Sequence, residues 1–225
     1  MAIDLEAVRH RVAQLNGERL PNAKAGDIKL WKPEVGTYKI RGLPDKRALD
    51  GMPIREPWVY CLGDERAFLS PDQFGQPDPV AQLRIKLFKT GKAEDKELAK
   101  QLMSKNRPVL PIIVRGEEDK GVQFWFLPKN CYKKFLGMYM DEETPDVLDV
   151  NEGYDLKVTV SHTPGKTFRG KPSLDYDVET AKKPSVLADS EDEVEKLLNN
   201  IPDIMNYFTT KTKDEIDEIV TRWFS

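Results

Sequence analysis

The chain has 225 residues, 39% hydrophobic and 32% charged, with a formal net charge of −3, the profile of a globular chain large enough to bury a core. No apolar run approaches the roughly 18 residues of a membrane span, and the first six residues, Met-Ala-Ile-Asp-Leu-Glu, have neither the basic flank nor the apolar stretch of a signal peptide. Two cysteines, Cys61 and Cys131, and two histidines, His10 and His162, are too few for a disulfide framework, a four-thiolate zinc site or histidine-based hydrolysis, and point to a reducing cytosolic compartment.

Leu5, Val8, Val12 and Leu15 share one face and predict a helix over residues 4–16 that stops at Gly17. Short β-type runs follow at Gly36–Leu43, Trp58–Leu62, Val109–Arg115, Gly121–Leu127, Tyr154–Ser161 and Leu174–Val178, punctuated by prolines and glycines such as Pro44, Gly63, Pro108 and Gly116. The polar stretch between Arg115 and Gly121 reads as a hairpin loop. Val80, Leu83, Leu87 and Phe88 are spaced for a helix, Leu98 and Leu102 for a second, and Tyr132, Phe135 and Leu136 for a third. Ser190 with Glu193, and Thr212 with Glu215, have capping-box spacing ahead of two C-terminal helices. The whole predicts an α+β protein centred on a small β-barrel, with inserted and C-terminal helices.

Charge is segregated along the chain. Arg84–Arg115 holds nine bases against three acids, Lys157–Lys183 six against three, Asp141–Asp155 seven acids and no base, and Ser185–Ser225 ten acids against four bases. Such a distribution builds either a basic groove on an acidic protein or a set of ordinary solvated faces. Pro164-Gly165-Lys166-Thr167 suggests a phosphate loop, but the motif needs a glycine where Val160 stands, and no helical pattern follows. G-x-S-x-G, H-E-x-x-H and C-x-x-C are all absent from the sequence, and no nucleophile–base pair stands out, so the chain reads as a non-enzyme.

Aromatic and basic residues are interleaved on the β-type segments. Tyr38-Lys39-Ile40-Arg41 alternates by face, Phe124-Trp125-Phe126 is followed by Lys129, and Phe168-Arg169-Gly170-Lys171 precedes Tyr176. Single-stranded nucleic acid is held this way: each stacked base contributes about 1–3 kcal/mol while lysines and arginines follow the phosphates. Trp58, Trp223 and Phe135 are assigned to the core, Trp125 divides evenly between core and stacking, and Phe168 is assigned to binding.

These segments resemble the single-stranded DNA-binding (helix-destabilising) proteins of T-even-type bacteriophages and their marine relatives. The likeness is carried by Leu15-Asn16-Gly17, by Leu30-Trp31-Lys32-Pro33-Glu34-Val35-Gly36-Thr37-Tyr38-Lys39-Ile40-Arg41 with Leu43-Pro44, and by Ile112-Ile113-Val114-Arg115-Gly116-Glu117-Glu118-Asp119-Lys120-Gly121-Val122, in the same order over most of the chain. The resemblance implies an OB-fold core over residues 21–185, non-specific binding of single-stranded DNA in replication, recombination and repair, and residence in the cytoplasm of an infected bacterial host. It implies a self-association segment over residues 1–20, here retaining Arg9, Arg11 and Arg19, and C-terminal helices over residues 186–225 that pack on the core. By position it places Trp125, Arg41, Lys105, Arg107 and the Phe168–Tyr176 segment at the DNA groove; Tyr38, Lys129, Arg169 and Lys171 complete the candidate set, with Tyr176 as the late stacking residue.

The resemblance also implies a zinc subdomain, here at about residues 57–106, whose thiolate positions are occupied by Ser70, Asp78 and Ala81, with Cys61 near the position of a histidine. One thiol and one carboxylate do not make the closed N/S site of structural zinc. The loop is therefore expected to persist without metal, supported by packing around Phe68, Phe74 and Leu83. Two departures bear on partners: the N-terminal segment lacks a dense basic run, and the sequence stops at Trp223-Phe224-Ser225 without a long acidic tail of the kind relatives use to recruit replication and recombination proteins. Three readings follow: a non-catalytic single-stranded DNA-binding protein, a phage protein-interaction adaptor that has lost DNA binding, and an RNA-binding module that would have to read the 2′-hydroxyl.

Overall fold

The computed structural model describes residues 28–48, 52–141, 146–168 and 170–224; the helix expected over residues 4–16, with Arg9, Arg11 and Arg19, lies outside them. Eight strands, β1 (Gly36–Gly42), β2 (Trp58–Tyr60), β3 (Phe68–Leu69), β4 (Lys105–Asn106), β5 (Val109–Val114), β6 (Gln123–Phe126), β7 (Tyr154–Phe168) and β8 (Lys171–Pro184), alternate with five helices. The helices are α1 (Pro79–Lys89), α2 (Ala93–Gln101), α3 (Lys129–Tyr139), α4 (Glu191–Asn199) and α5 (Lys213–Phe224). The chain is thus α+β, and the described residues fall into two compact units, 28–56 with 108–202 and 57–107 with 203–224. No helix among the described residues is long and apolar enough to cross a membrane.

The larger unit is built on an antiparallel five-stranded sheet in the order β6-β5-β1-β7-β8. Alternation along the strands sends Ile40, Leu110, Ile112, Leu156, Val158, Val160 and Val178 to one face, where Trp31, Trp125 and the α3 residues Cys131 and Phe135 complete a buried cluster. The expected closed barrel is not found: among the described residues no ladder joins β6 to β8. Both outer edges have other partners. Along β6, Trp31 N–H donates to the Phe124 carbonyl (2.9 Å) and Phe124 N–H to the Lys29 carbonyl (2.8 Å). At β8, the Tyr176 carbonyl accepts from Asn130 Nδ2 (2.6 Å) and the Cys131 thiol (3.5 Å) at the start of α3.

β7 and β8 run well beyond the short segments expected at Tyr154–Ser161 and Leu174–Val178. The ladder resumes past Pro164-Gly165: the register shifts between His162 and Thr167, so the extra β7 residues stand opposite Ser173 alone. Gly165 supplies a φ of 67° in that irregularity, a conformation other residues adopt at a cost.

The smaller unit joins the three-stranded sheet β3-β2-β4 to α1, α2 and α5. Its core is Tyr60, Leu62, Phe68, Val80, Leu102, Ile216 and Ile219, with Leu83, Leu87, Val220 and Trp223 against it. The two C-terminal helices thus part company, α4 lying in the larger unit and α5 in the smaller.

One close approach ties the larger unit together. A Cβ added at Gly153 would stand 2.6 Å from Arg41 Nη2 and 2.7 Å from the Val147 carbonyl, and would also meet the Asp149 carbonyl. Two of these three neighbours are backbone, which cannot swing away. Gly153→Ala is expected to lower unfolding free energy by about 1–3 kcal/mol, the usual cost of overpacking, as read from urea denaturation.

Candidate nucleic-acid interface

In the larger unit, the register places Tyr38 opposite Val158 and Tyr176 opposite Val160, so the two tyrosines lie on the same side of the sheet, flanking β7 two residues apart. Both are half-buried and pack against the core. The Tyr38 hydroxyl donates to the Glu34 carbonyl (3.2 Å), and its ring meets Trp31 edge-on at 5.5 Å. Lys129, exposed at the start of α3, neighbours Tyr176 through Asn130, whose amide holds the Tyr176 carbonyl. Burial, helped by the Asp177 carboxylate, pushes the adjacent Cys131 thiol up to about 11, so it is an inert core group.

Two sequence-based assignments are corrected here. Trp125 is only 2% exposed and meets Trp31 edge-to-face at 5.3 Å. It is a core residue that supports Trp31, and through it Tyr38, and presents no face to a base. Arg41 is fully buried, at 0%. It donates to the Asp149 carbonyl, and burial lowers its pKa against the opposing attraction of Asp155, Asp149 and Asp146. A guanidinium in this setting holds the fold and does not reach a phosphate.

Beside Arg41, the buried Asp155 carboxylate receives Lys39 Nζ at 2.9 Å and Arg115 Nε at 3.0 Å. Arg115 also donates to the carbonyls of Val186 (2.7 Å) and Leu187 (3.2 Å), fastening the segment after β8. Burial raises the pKa of Asp155, but the bond from Lys39 and the charge of Arg115 outweigh it, leaving the group more acidic than an ordinary carboxyl.

Towards the far end of the β7–β8 ribbon, Lys166 and Lys171 are exposed, and Phe168 pairs with Lys171 in the last rung; Arg169 lies outside the described residues. In the smaller unit, Lys105 and Arg107 are exposed on and beside β4. Between them Asn106 pairs with Trp58 of β2. Trp58 is 43% exposed, contrary to its assignment to the core: β2 is three residues long, and only Val59 and Tyr60 turn inward.

The smaller unit contains the positions at which the resemblance implies zinc. There the Asp78 carboxylate is buried and fully engaged: Ser70 Oγ donates to Oδ2 at 2.8 Å, the Tyr60 hydroxyl to the same oxygen at 2.9 Å, and Ala81 N–H to Oδ1 at 3.0 Å, capping α1. Burial and the neighbouring carboxylate raise the Tyr60 pKa, keeping it a neutral donor. These residues do not fit a structural zinc ion. Ser70 and Tyr60 spend their protons on Asp78, Cys61 is not among its partners, and no group of three or more His, Cys, Asp or Glu among the described residues could hold a metal.

Half-buried tyrosines on β1 and β8 of an antiparallel sheet, with exposed bases on separate elements, are compatible with nucleic-acid binding. The "gp32 DNA binding protein like" family model matches residues 41–223, and the chain belongs to that DNA-binding family. No curated protein matches the chain.

Because the folded-state pKa of Asp155 is lowered, its contribution is complete above the unfolded carboxyl value of about 3.9 and is lost as pH falls through the lower folded value. Asp155→Asn is expected to flatten that acid limb of the stability curve. At neutral pH it should cost towards the lower end of the about 3–5 kcal/mol of an unpaired buried charge, since Lys39 and Arg115 keep access to water. Thermal melts from pH 7 to pH 3 check both effects.

Proposed function

We propose that this chain binds single-stranded DNA without sequence preference, coating and protecting unwound strands in phage replication, recombination and repair within the host cytoplasm. Its role is non-catalytic, and replication and recombination proteins, with further copies of the chain, are its protein partners. The observation that carries this is the match to a DNA-binding family over residues 41–223. The partly exposed Tyr38 and Tyr176 and the exposed Lys105, Arg107, Lys129 and Lys171 support it, because stacking and phosphate contact need these groups within reach of the surface. The five antiparallel strands are consistent with an OB-type core, a fold that is itself a partly open five-stranded barrel.

The burial of Arg41 and Trp125 removes two groove contacts and is the specific observation favouring the adaptor reading. Titration of a labelled oligo(dT) followed by anisotropy separates the two. A binder shows log K falling linearly with log salt, little preference among base compositions, and poor competition by duplex. Lys129→Ala and Lys171→Ala are each expected to reduce the slope by about 0.7, the value per phosphate neutralised on a single strand. An adaptor binds no oligonucleotide at any salt concentration.

We also propose that the smaller unit folds without zinc, the Asp78 hydrogen-bond hub and the packing of Phe68 and Leu83 holding the loop in its place. Chelation should leave the melting temperature unchanged. Asp78→Ala should cost at least the about 1.5–3 kcal/mol of one charge-assisted bond. One zinc per chain after purification without added metal overturns this.

A further inference from the structure

We infer that Trp58 is a base-stacking residue and that, with Lys105 and Arg107, it forms a single-strand contact site contained in the smaller unit. This rests on the single-stranded DNA reading and adds Trp58, which neither the sequence pattern nor the family match assigns to binding, to Lys105 and Arg107, which the resemblance places at the groove.

Three observations converge. The first is exposure. A tryptophan that serves a core is seldom 43% exposed, yet Trp58 lies outside the unit's buried cluster, and its indole makes no ring contact among the described residues. The second is rigidity. Trp58 N–H donates to Gln73 Oε1 (3.3 Å), Gln73 Nε2 returns a bond to the Trp58 carbonyl (2.8 Å), and Ser70 N–H donates to that same carbonyl (2.9 Å). Gln73 is itself held by the Ser70 carbonyl (2.9 Å). An exposed ring on so firmly fixed a backbone is a prepared platform that loses little conformational entropy when a base covers it.

The third is charge. Trp58 pairs directly across the ladder with Asn106, whose chain neighbours on both sides are the exposed Lys105 and Arg107. Arg107 N–H bonds the Pro57 carbonyl at 2.9 Å, so its Cα is pinned one residue from Trp58. β4 is the outer strand of its sheet. By alternation Lys105 and Arg107 lie across the pleat from Asn106 and from the indole, so a strand with a base on Trp58 would turn round the outer edge of β4 for its phosphates to meet their long stems. A base lying on the indole would run its phosphates past that edge. An apolar protein partner would gain nothing from two flanking cations, whereas a polyanion would.

The test is oligo(dT) anisotropy at one low salt concentration with the intact chain, Trp58→Ala, Trp58→Phe, and Lys105→Ala with Arg107→Ala. Melting temperatures are measured alongside and should not move for the Trp58 variants, because the ring is not in the core. Trp58→Ala is expected to weaken binding about 5- to 100-fold, the stacking contribution of one base. Trp58→Phe should recover most of that loss, and the double variant should lower the salt slope without altering preference among bases. Oligo(dT) should quench part of the tryptophan emission of the intact chain and less in Trp58→Phe. If the intact chain binds and Trp58→Ala binds equally well, the Trp58 site is wrong while the single-strand reading stands. If the intact chain binds no single strand, both fall.

Discussion

Asp155 is the charge around which the larger unit is organised. Its carboxylate sits between Lys39 from β1 and Arg115 from the end of β5, with Arg41 buried nearby. Arg115 reaches on to the carbonyls of Val186 and Leu187, and Arg41 to that of Asp149. One buried anion thereby fixes the mutual placement of three strands and two connecting segments, on the side of the sheet opposite the apolar cluster. Three cations drawn to one anion would be costly to leave unpaired, so the cluster specifies the fold more than it stabilises it. It also withdraws Arg41 and Arg115 from any role in binding.

The smaller unit solves a similar problem with different chemistry. A short sheet and three helices offer little apolar area, and the loop between β3 and α1 needs a tie. Asp78 supplies it by accepting from Tyr60 in β2, from Ser70 at the end of β3, and from the first turn of α1. In each unit a single buried carboxylate gathers donors that are far apart in the chain. The two differ in their partners, cations in one case and neutral hydroxyls with an amide in the other. Only the first has cationic partners, so only there does losing the carboxylate leave charges unpaired.

Much of the fold was legible in the sequence because it is periodic. Alternation located β1, β5 and β6, and the capping spacing located α4 and α5; the Ser190 hydroxyl accepts from Glu193 N–H as the motif requires. β7 and β8 extend past the runs Tyr154–Ser161 and Leu174–Val178 because only a ladder shows that a strand continues past an irregularity. The site was less legible. Alternation states which residues share a face but not whether water reaches it, so Arg41, whose partners stand at 149 and 155, looked like a groove base. Trp125 was undecided until Trp31 was seen against it. Trp58 was missed because the run Trp58–Leu62 suggested a buried strand, although the bases at 105 and 107 were visible as charge. The bonds of Asp78 to Ser70 and Tyr60 depend on tertiary structure, which no spacing in the sequence reports.

The edges of the five-stranded sheet bear on how copies of the chain can meet. The outer side of β6 is already bonded by residues 29–31. β8 carries Pro172 and Pro184 near its ends, Lys171, Lys182 and Lys183 along it, and a carbonyl held by α3. Prolines, lysines and the occupied carbonyl are the kinds of feature that blunt an edge against strand-by-strand zippering between molecules. If copies of the chain crowd on one DNA strand, as the proposed function requires, such edges let them do so without polymerising into sheet.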